Sequence, residues 1–239
     1  MASLDEYEQL VAPAREHFAE SPGIQVISLT SDSVFLDLFL LHFCALGSQM
    51  TEPVERWIRH AAERCASMGL SDLAFELRRH AQAETGHHLM LIADVRSLVA
   101  RWNARHKHPI DASQLLNQPP TPGVLHYCRV HEENIAGATP YAQVAIEYEV
   151  EILPLRYGER LLNRCIQMLG AEILPCLSFV TEHIVLDVGH TNFNARVISN
   201  LIELMPWTVP VLVSAGSAAL NAYAEFLSDC VQLADRDSR

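Results

Sequence analysis

Residues 183–190 read His-Ile-Val-Leu-Asp-Val-Gly-His, and residues 80–87 repeat the pattern as His-Ala-Gln-Ala-Glu-Thr-Gly-His. Each segment has two histidines seven positions apart, with a carboxylate four positions after the first. On an α-helix, offsets of four and seven return a side chain to the same face. Each segment is therefore predicted to point two imidazoles and one carboxylate in one direction. Two such helices would offer up to four nitrogens and two carboxylates to a pair of transition-metal ions.

Apolar residues flank both segments at helical spacing, which indicates that the ionisable groups interrupt stripes facing a core. The apolar positions are Leu73, Leu77, Leu91, Val95 and Leu98 around the first segment, and Val180, Val197 and Leu201 around the second, where Asn194 lies on the same stripe. Burying an uncompensated carboxylate costs on the order of several kcal/mol, so these groups need a partner charge, and a metal supplies it most simply.

Gly86 and Gly189 precede the last histidine of their segments. Glycine inside a helix is unfavourable by roughly 0.5–1 kcal/mol relative to alanine. We therefore expect another helix or a ligand to approach closely at both positions.

A third helix, predicted over residues 141–169, carries three further carboxylates. Glu147 and Glu151 share its apolar face, whereas Glu149 is rotated away. We favour Glu151 as the bridging carboxylate and keep Glu147 as a second ligand or as a partner behind the ligands. His80 is either a ligand or such a partner.

The remaining histidines are assigned no part in this cluster. His88 lies about 100° around the helix from His87 and ranks lower as a ligand. The others are predicted to be surface or capping residues: His42, His60, His126 and His131.

The helical pattern extends over most of the chain and predicts an all-α bundle of seven to eight helices in one domain, residues 1–239. Helices are expected over residues 4–20, 32–46, 51–69, 71–103, 124–135, 141–169 (bent at Pro154), 171–205 (regular from Pro175) and 206–233. Residues 104–123 are predicted to be a loop, and residues 24–30 an extended segment.

Composition excludes several classes of partner. The net charge is −12, from 17 basic and 29 acidic residues, which argues against nucleic acid and anionic membranes. The apolar run at 34–46 is too short to span a bilayer, and no leader segment is recognised at the start. The six cysteines show no CxxC spacing, and most lie in apolar helical stretches, which is typical of a reducing cytoplasm.

With these residues in view, the chain resembles the haem-oxygenase-like dimetal oxidases and oxygenases, whose superfamily also contains the metal-free TenA and pyrroloquinoline-quinone synthase relatives. The resemblance covers roughly residues 34–205. It is carried by Glu84-x2-His87, by Glu151 and by His183-x3-Asp187-x2-His190. Some members place a glutamate where this chain has His80.

The resemblance implies a seven-helix fold, a site for two iron ions or for iron with manganese, and O2-dependent oxidation of a small molecule. The implied catalytic and metal-binding residues are Glu84, His87, Glu151, His183, Asp187 and His190, with Glu147 and His80 as further candidate ligands. Relatives act on amino acids, fatty acids and aromatic precursors, and they often form homodimers.

Three alternatives remain open from the sequence. A ferritin-like di-iron bundle shares the E-x2-H spacing but normally lacks the upstream histidine at position 183. A metal-free TenA- or quinone-synthase-like enzyme would use the same histidines as general acids and bases. A non-catalytic interaction protein would retain the site as a vestige.

Overall fold

The computed structural model describes residues 2–239, apart from the side chain of Ile27, and contains helices and no strand in that part of the chain. The α-helices are α1 (Leu4–Ala19), α2 (Pro22–Leu29), α3 (Ser33–Thr51), α4 (Val54–Ser67), α5 (Ser71–Ala83), α6 (His88–Arg105), α7 (Ala112–Leu116), α8 (Pro122–Ala136), α9 (Gln143–Leu153), α10 (Glu159–Leu169), α11 (Ser178–Leu204) and α12 (Val209–Asp237). The all-α prediction is confirmed.

Short helical segments of other kinds join these helices. Residues Pro154–Gly158 form one π-helical turn between α9 and α10, which is the bend that Pro154 predicts. Three-residue 3-10 turns lie at Pro140–Ala142 and Pro206–Thr208, and a longer one spans Ala171–Cys176. The regular part of α11 therefore starts close to Pro175, as the sequence indicates.

Several predicted boundaries are wrong, each for a local reason. Residues 24–29 are helical, because Pro22 occupies the first turn of α2, where its missing N–H is not needed. Thr51 ends α3 and caps no helix. The predicted loop 104–123 contains the short helix α7, which Asp111 caps by accepting a hydrogen bond from the backbone of Gln114.

The helix predicted over residues 71–103 is also two helices, α5 and α6. The interruption at residues 84–87 contains Gly86 at φ +84°. It falls inside the first histidine segment, between Glu84 and His87.

The long helix α12 lies at the centre of the bundle, where it packs against α1, α2, α3, α8 and α9. Its packing face consists of small and apolar residues and includes Gly216, Ala219, Leu220 and Phe226. On the other side of α9 lies α11, which also contacts the π-helical turn, α5 and α6. The predicted site helices therefore meet around α9.

Glu149 is fully buried on the face of α9 that turns towards α1. Its carboxylate accepts hydrogen bonds from Tyr7 (2.8 Å) and from two nitrogens of Arg15 (2.7 Å each). This bidentate contact accounts for the buried charge. The prediction that Glu149 is rotated away from the site is confirmed.

A buried carboxylate on α6 fixes the start of α11. Asp94 accepts hydrogen bonds from the backbone nitrogens of Ser178 and Phe179 (2.9 Å each) and from the Ser178 hydroxyl (2.7 Å). These are orphan donors of the first turn of α11. Asp94 therefore connects α6 to α11. The first histidine segment directly precedes α6, and α11 carries the second histidine segment.

The segment Ser33–Ser67, comprising α3 and α4, contains a stretch of mean hydropathy 1.4 and is long enough to cross a membrane. However, 78% of that stretch is buried inside the protein. Helices α11 and α12 have the length and hydropathy of a membrane-spanning segment only when they are taken together, and the chain bends by 117° at the break between them. An apolar core helix has the same composition, so these segments are weak evidence for a membrane span.

We expect Asp94→Ala to lower the free energy of unfolding by about 1–2 kcal/mol, because it removes the cap of α11 and leaves buried N–H groups without acceptors. Urea unfolding followed by circular dichroism measures the change. The control is Asp72→Ala, since Asp72 is an exposed residue in the first turn of α5. A loss no larger than that of the control would show that the cap contributes nothing.

Candidate metal centre

The first histidine segment spans the end of α5, a turn and the start of α6. His80 lies in the last turn of α5, Glu84 follows its last residue, and His87 directly precedes α6. Gly86 takes a left-handed φ of +84°, which glycine adopts without a steric penalty. The prediction that His80, Glu84 and His87 share one continuous helix is therefore wrong, although their side chains still meet.

The second segment lies within the uninterrupted helix α11, as predicted. His183, Asp187 and His190 share the helix face that turns towards α9 and the α5–α6 turn. His183 Nδ1 donates to the Phe179 carbonyl at 2.8 Å. This bond fixes the orientation of the ring and places the proton on Nδ1. Nε2 therefore faces the site with a free lone pair that can bind a metal ion.

One group of donors comes from three separate helical elements. His80, Glu84, Glu151 and His190 each place one donor atom within 4.8 Å of all the others. His80 Nε2 lies 2.6 Å from Glu151 Oε1, and His190 Nδ1 lies 3.4 Å from Glu84 Oε1 and 3.8 Å from Glu151 Oε1. Four nitrogen and oxygen atoms thus surround one point.

A second group lies on the other side of Glu84. His87 Nδ1 is 2.9 Å from Glu84 Oε2 and 3.3 Å from His183 Nε2. Asp187 Oδ1 is 3.2 Å from His190 Nδ1 of the first group, and Asp187 lines the same cavity as His183 of the second. Glu84 consequently directs Oε1 to the first group and Oε2 to the second.

Several buried nitrogen and oxygen atoms of this cluster have no hydrogen-bond partner in the protein, as expected of a site that a metal fits. Both oxygens of Asp187, which is 1% exposed, make no hydrogen bond, nor do Glu84 Oε1 and His190 Nδ1. His190 approaches Asp187 outside hydrogen-bond geometry. Unpartnered buried carboxylate oxygens are costly unless a cation faces them. The mixed imidazole and carboxylate set suits iron or manganese.

The electrostatics of the cluster show the same need for cations. Burial raises the pKa of Asp187 and of Glu151. Burial also opposes ionisation of Glu84, but the hydrogen bond from His87 and the positive charges of His80 and His87 hold the pKa of its carboxyl well below the usual range. The carboxylates in turn raise the pKa of His87 and His190. Protons on the imidazoles thus provide the positive charge that metal ions would replace.

Glu147 lies outside this cluster, one turn before Glu151 on α9. Its Oε1 accepts a hydrogen bond from Gln143 Nε2 at 2.6 Å. Burial raises the pKa of Glu147 to about 8. The structure therefore places Glu147 outside the converging group of His80, Glu84, Glu151 and His190, at the wall of the adjoining cavity.

His131 and His42 contradict the prediction that they are surface or capping residues. His131 has no exposed area; its ring stacks on Trp57 at 4.3 Å between centroids, and Nδ1 lies 2.7 Å from Gln143 Nε2. Burial lowers its pKa to about 3. His42 is 4% exposed and lies 3.0 Å from Asp237. Both lie on apolar faces whose neighbours, distant in sequence, could not be read from the local pattern.

The other two histidines of that set are on the surface, as predicted. His60 is exposed, and His126 pairs with Glu225 at 2.8 Å with a third of its side chain in solvent. His88 begins α6 and does not belong to the converging donors.

Asn194 is a site residue whose role the sequence did not reveal. It is fully buried one turn after His190 on α11, and its Nδ2 donates to Glu151 Oε2. This contact leaves Glu151 Oε1 for the first donor group. The signal was its place on the same stripe as the histidines, where a buried amide requires a polar partner.

A cavity of about 80 Å³ adjoins the cluster. Its polar side is formed by site carboxylates and His183, and aromatic and aliphatic side chains form the rest, including Phe43, Leu91, Tyr127, Phe179, Tyr223 and Phe226.

The two glycines of the repeated pattern have different roles. A Cβ at Gly189 would meet no atom within 4 Å, so the close approach expected there is wrong. At Gly86 the nearest atom to a Cβ is Leu89 Cδ1, at 3.8 Å, so crowding does not explain this glycine either. Its positive φ does, since it turns the chain between Glu84 and His87.

We expect Gly86→Ala to weaken divalent-metal binding at the His87 side and to lower the free energy of unfolding by about 1 kcal/mol, because alanine disfavours the left-handed φ. Calorimetric titration of the metal-free protein with Mn²⁺ and urea unfolding measure the two effects.

Gly189→Ala is the matched control, because it changes the same position of the repeated pattern inside a regular helix with open space around it. It should leave metal binding unchanged and raise stability by up to about 1 kcal/mol. Equal effects of the two substitutions would contradict the role assigned to the Gly86 turn.

No protein-family model matches this sequence, and no curated protein matches it. Similar solved structures exist at low sequence identity. One is a domain of unknown function with a haem-oxygenase-like fold from Shewanella denitrificans OS217, which is 19% identical and has a TM-score of 0.76. The match covers 97% of this chain and 93% of that one.

A CADD-like protein of unknown function from Nostoc punctiforme PCC 73102 has been solved twice and matches with a TM-score of 0.65 each time. Its identity is 12% in one structure, covering 95% of this chain and 97% of that one, and 13% in the other, covering 98% of both. The chain therefore has the haem-oxygenase-like fold that the resemblance implies.

Proposed function

We propose that this protein is an O2-dependent, non-haem dimetal oxidase or oxygenase that acts on a small molecule. The observation that carries the proposal is the position of Glu84, whose two oxygens face two separate sets of nitrogen and carboxylate donors. A structural ion pair would require only one of these two sets of donors. Acid–base catalysis would not require a buried carboxylate without hydrogen-bond partners, such as that of Asp187.

The donors divide into two sets, each completed by Glu84. His80, Glu151 and His190 would hold one ion, whereas His87, His183 and Asp187 would hold the other. In this arrangement Glu84, and not Glu151 as the sequence favoured, would contribute to holding both ions, whereas the second oxygen of Glu151 accepts a hydrogen bond from Asn194. When bound, a pair of iron ions, or iron with manganese, supplies the electrons that reduce O2 and permits oxidation of a nearby substrate.

The protein's own groups prepare this site in three ways. The hydrogen bonds from His183 to Phe179 and from Asn194 to Glu151 fix the direction in which two ligands point. Phe43, Phe179 and Tyr223 line the cavity and exclude bulk water from a reactive centre. Glu147, whose pKa burial raises to about 8, places a carboxyl group at the wall of the same cavity.

The alternatives to a dimetal enzyme are a ferritin-like bundle, a metal-free acid–base enzyme and a vestigial site. The haem-oxygenase-like fold is not that of a ferritin-like bundle, and His183 lies among the site donors. The net charge of −12 supports our proposal that the partner is a small molecule, with neither nucleic acid nor an anionic membrane involved. A metal-free acid–base enzyme and a vestigial site both predict weak binding of iron, which makes the metal stoichiometry decisive.

Anaerobic titration of the metal-free protein with Fe(II) should show two equivalents bound, because the donors form two sets. Exposure to O2 should then oxidise both ions, measured by the loss of chelatable Fe(II) and the rise of near-ultraviolet absorbance. Glu84→Gln should reduce binding to one equivalent or less, because the neutral amide cannot bridge two cations.

Glu147→Gln is the matched control: it makes the same chemical change on a carboxyl that lines the same cavity but lies outside the donor cluster. It should retain two equivalents. Fewer than one equivalent in the unaltered protein, or equal losses in the two variants, would overturn the proposed function.

A further inference from the structure

The outer face of α11 carries apolar side chains that the rest of the chain leaves in solvent. Val185 is 73% exposed, Val188 53% and Leu186 40%. These three residues lie within four consecutive positions of the helix that also carries the second histidine segment. Single exposed apolar residues are ordinary on a protein surface, whereas neighbouring ones are typical of an interaction surface.

Gly189 lies at the middle of the same face. It is exposed, and a Cβ there would meet no atom of the chain within 4 Å. Glycine is among the least favourable residues inside a regular helix, and no contact among the described residues explains its presence here. A missing side chain on an exposed helix lets a second backbone approach closely.

Two opposite charges stand at equal distances from Gly189 on this face. Glu182 lies seven positions before it and Arg196 seven positions after it, which is about two turns in each direction. Among the described residues Glu182 forms no ion pair within 4 Å, and Arg196 approaches Glu76 only at 3.9 Å. The exposed positions that follow one another at offsets of three or four form the α11 stripe: Glu182, Val185, Gly189, Asn192 and Arg196.

We propose that the α11 stripe packs against the same stripe of a second copy of this chain, antiparallel and around a two-fold axis beside Gly189. In a two-fold pair, each residue before the axis faces the residue equally far after it in the other copy. Glu182 of each copy therefore faces Arg196 of the other, which forms two identical ion pairs. The family resemblance implies that homodimers occur but specifies no surface, whereas the spacing around Gly189 does.

The geometry of helix packing permits this contact. Packed helices lie about 8–10 Å apart, and an antiparallel crossing near 20° keeps residues two turns from the crossing point opposite each other. Long side chains such as those of glutamate and arginine can bridge that separation. One turn from the axis, the exposed Val185 faces the half-buried ring of Phe193 in the other copy.

Charge favours a second copy over other partners. The chain has a net charge of −12, so most pairings of two surfaces of this protein are repulsive. The α11 stripe contains one acidic and one basic residue, and it is complementary to itself only when the helices run antiparallel. Because one helix face is smaller than a standard interface, we expect a dimer with a micromolar Kd.

The interface is separate from the candidate metal centre. His183, Asp187 and His190 project from the side of α11 that turns towards α9, whereas the α11 stripe is exposed. The inference therefore goes beyond the proposed function and does not depend on it. Its test uses metal-free protein, so that the binding of metal ions does not affect the result.

Sedimentation velocity of the full chain between about 1 and 300 µM should show a monomer–dimer equilibrium. Gly189→Leu should weaken the dimer at least tenfold, because its side chain separates the two helices at the crossing point. The same substitution should leave the monomer folded, since open space surrounds Gly189. Circular dichroism and the melting temperature check the fold.

Charge reversal tests the register of the two helices. Glu182→Arg and Arg196→Glu should each weaken the dimer about tenfold, because each replaces two ion pairs with two repulsive contacts. An equimolar mixture of these two variants should associate at least as tightly as the unaltered protein, since every contact in the mixed dimer is again between opposite charges.

Glu133→Arg is the matched control, because it reverses an exposed acidic residue on α8 outside the α11 stripe. It should leave the dimer intact, and mixing it with Arg196→Glu should restore no association. A protein that stays monomeric over the whole range would overturn the inference. A dimer that Gly189→Leu leaves unchanged, or a mixture that associates no better than its two components alone, would also overturn it.

Discussion

The constraint on which the rest of the structure depends is the burial of several carboxylates between helices that offer them too few hydrogen-bond donors. Asp187 has two unpartnered oxygens at 1% exposure, and Glu84 and His190 also keep unpartnered atoms. The contrast with Glu149 is instructive, because that buried carboxylate is matched by Arg15 and Tyr7. The structural carboxylate Glu149 is surrounded by hydrogen-bond donors. The site carboxylates are surrounded instead by other side chains of the kind that bind metal ions.

The surrounding fold holds these groups in position from several directions. Asp94 links α6 to the first turn of α11, the Phe179 carbonyl fixes His183, and Asn194 fixes Glu151. The turn at Gly86 brings Glu84 and His87 to either side of the cluster. The contacts of Asp94 and Asn194 join elements distant in sequence, so the site depends on the packing of several helices and not on one alone.

The sequence predicted the fold class and the residues that converge, because helical spacing places donors on one face and apolar flanks show that this face is buried. It could not predict that the two identical patterns adopt different backbones. Glycine tolerates both the left-handed turn at position 86 and the helix at position 189, so tertiary packing decides between them. The roles of Asn194, His131 and Gln143 were equally out of reach, since each depends on a partner in another helix or turn.

The account's central claim is that two metal ions bind on either side of Glu84. The most direct test is anomalous diffraction at the iron absorption edge from crystals loaded with Fe(II) under anaerobic conditions. We predict two peaks about 3.5–4 Å apart, one beside His80, Glu151 and His190 and the other beside His87, His183 and Asp187. A single peak, or none within reach of these side chains, would contradict the account.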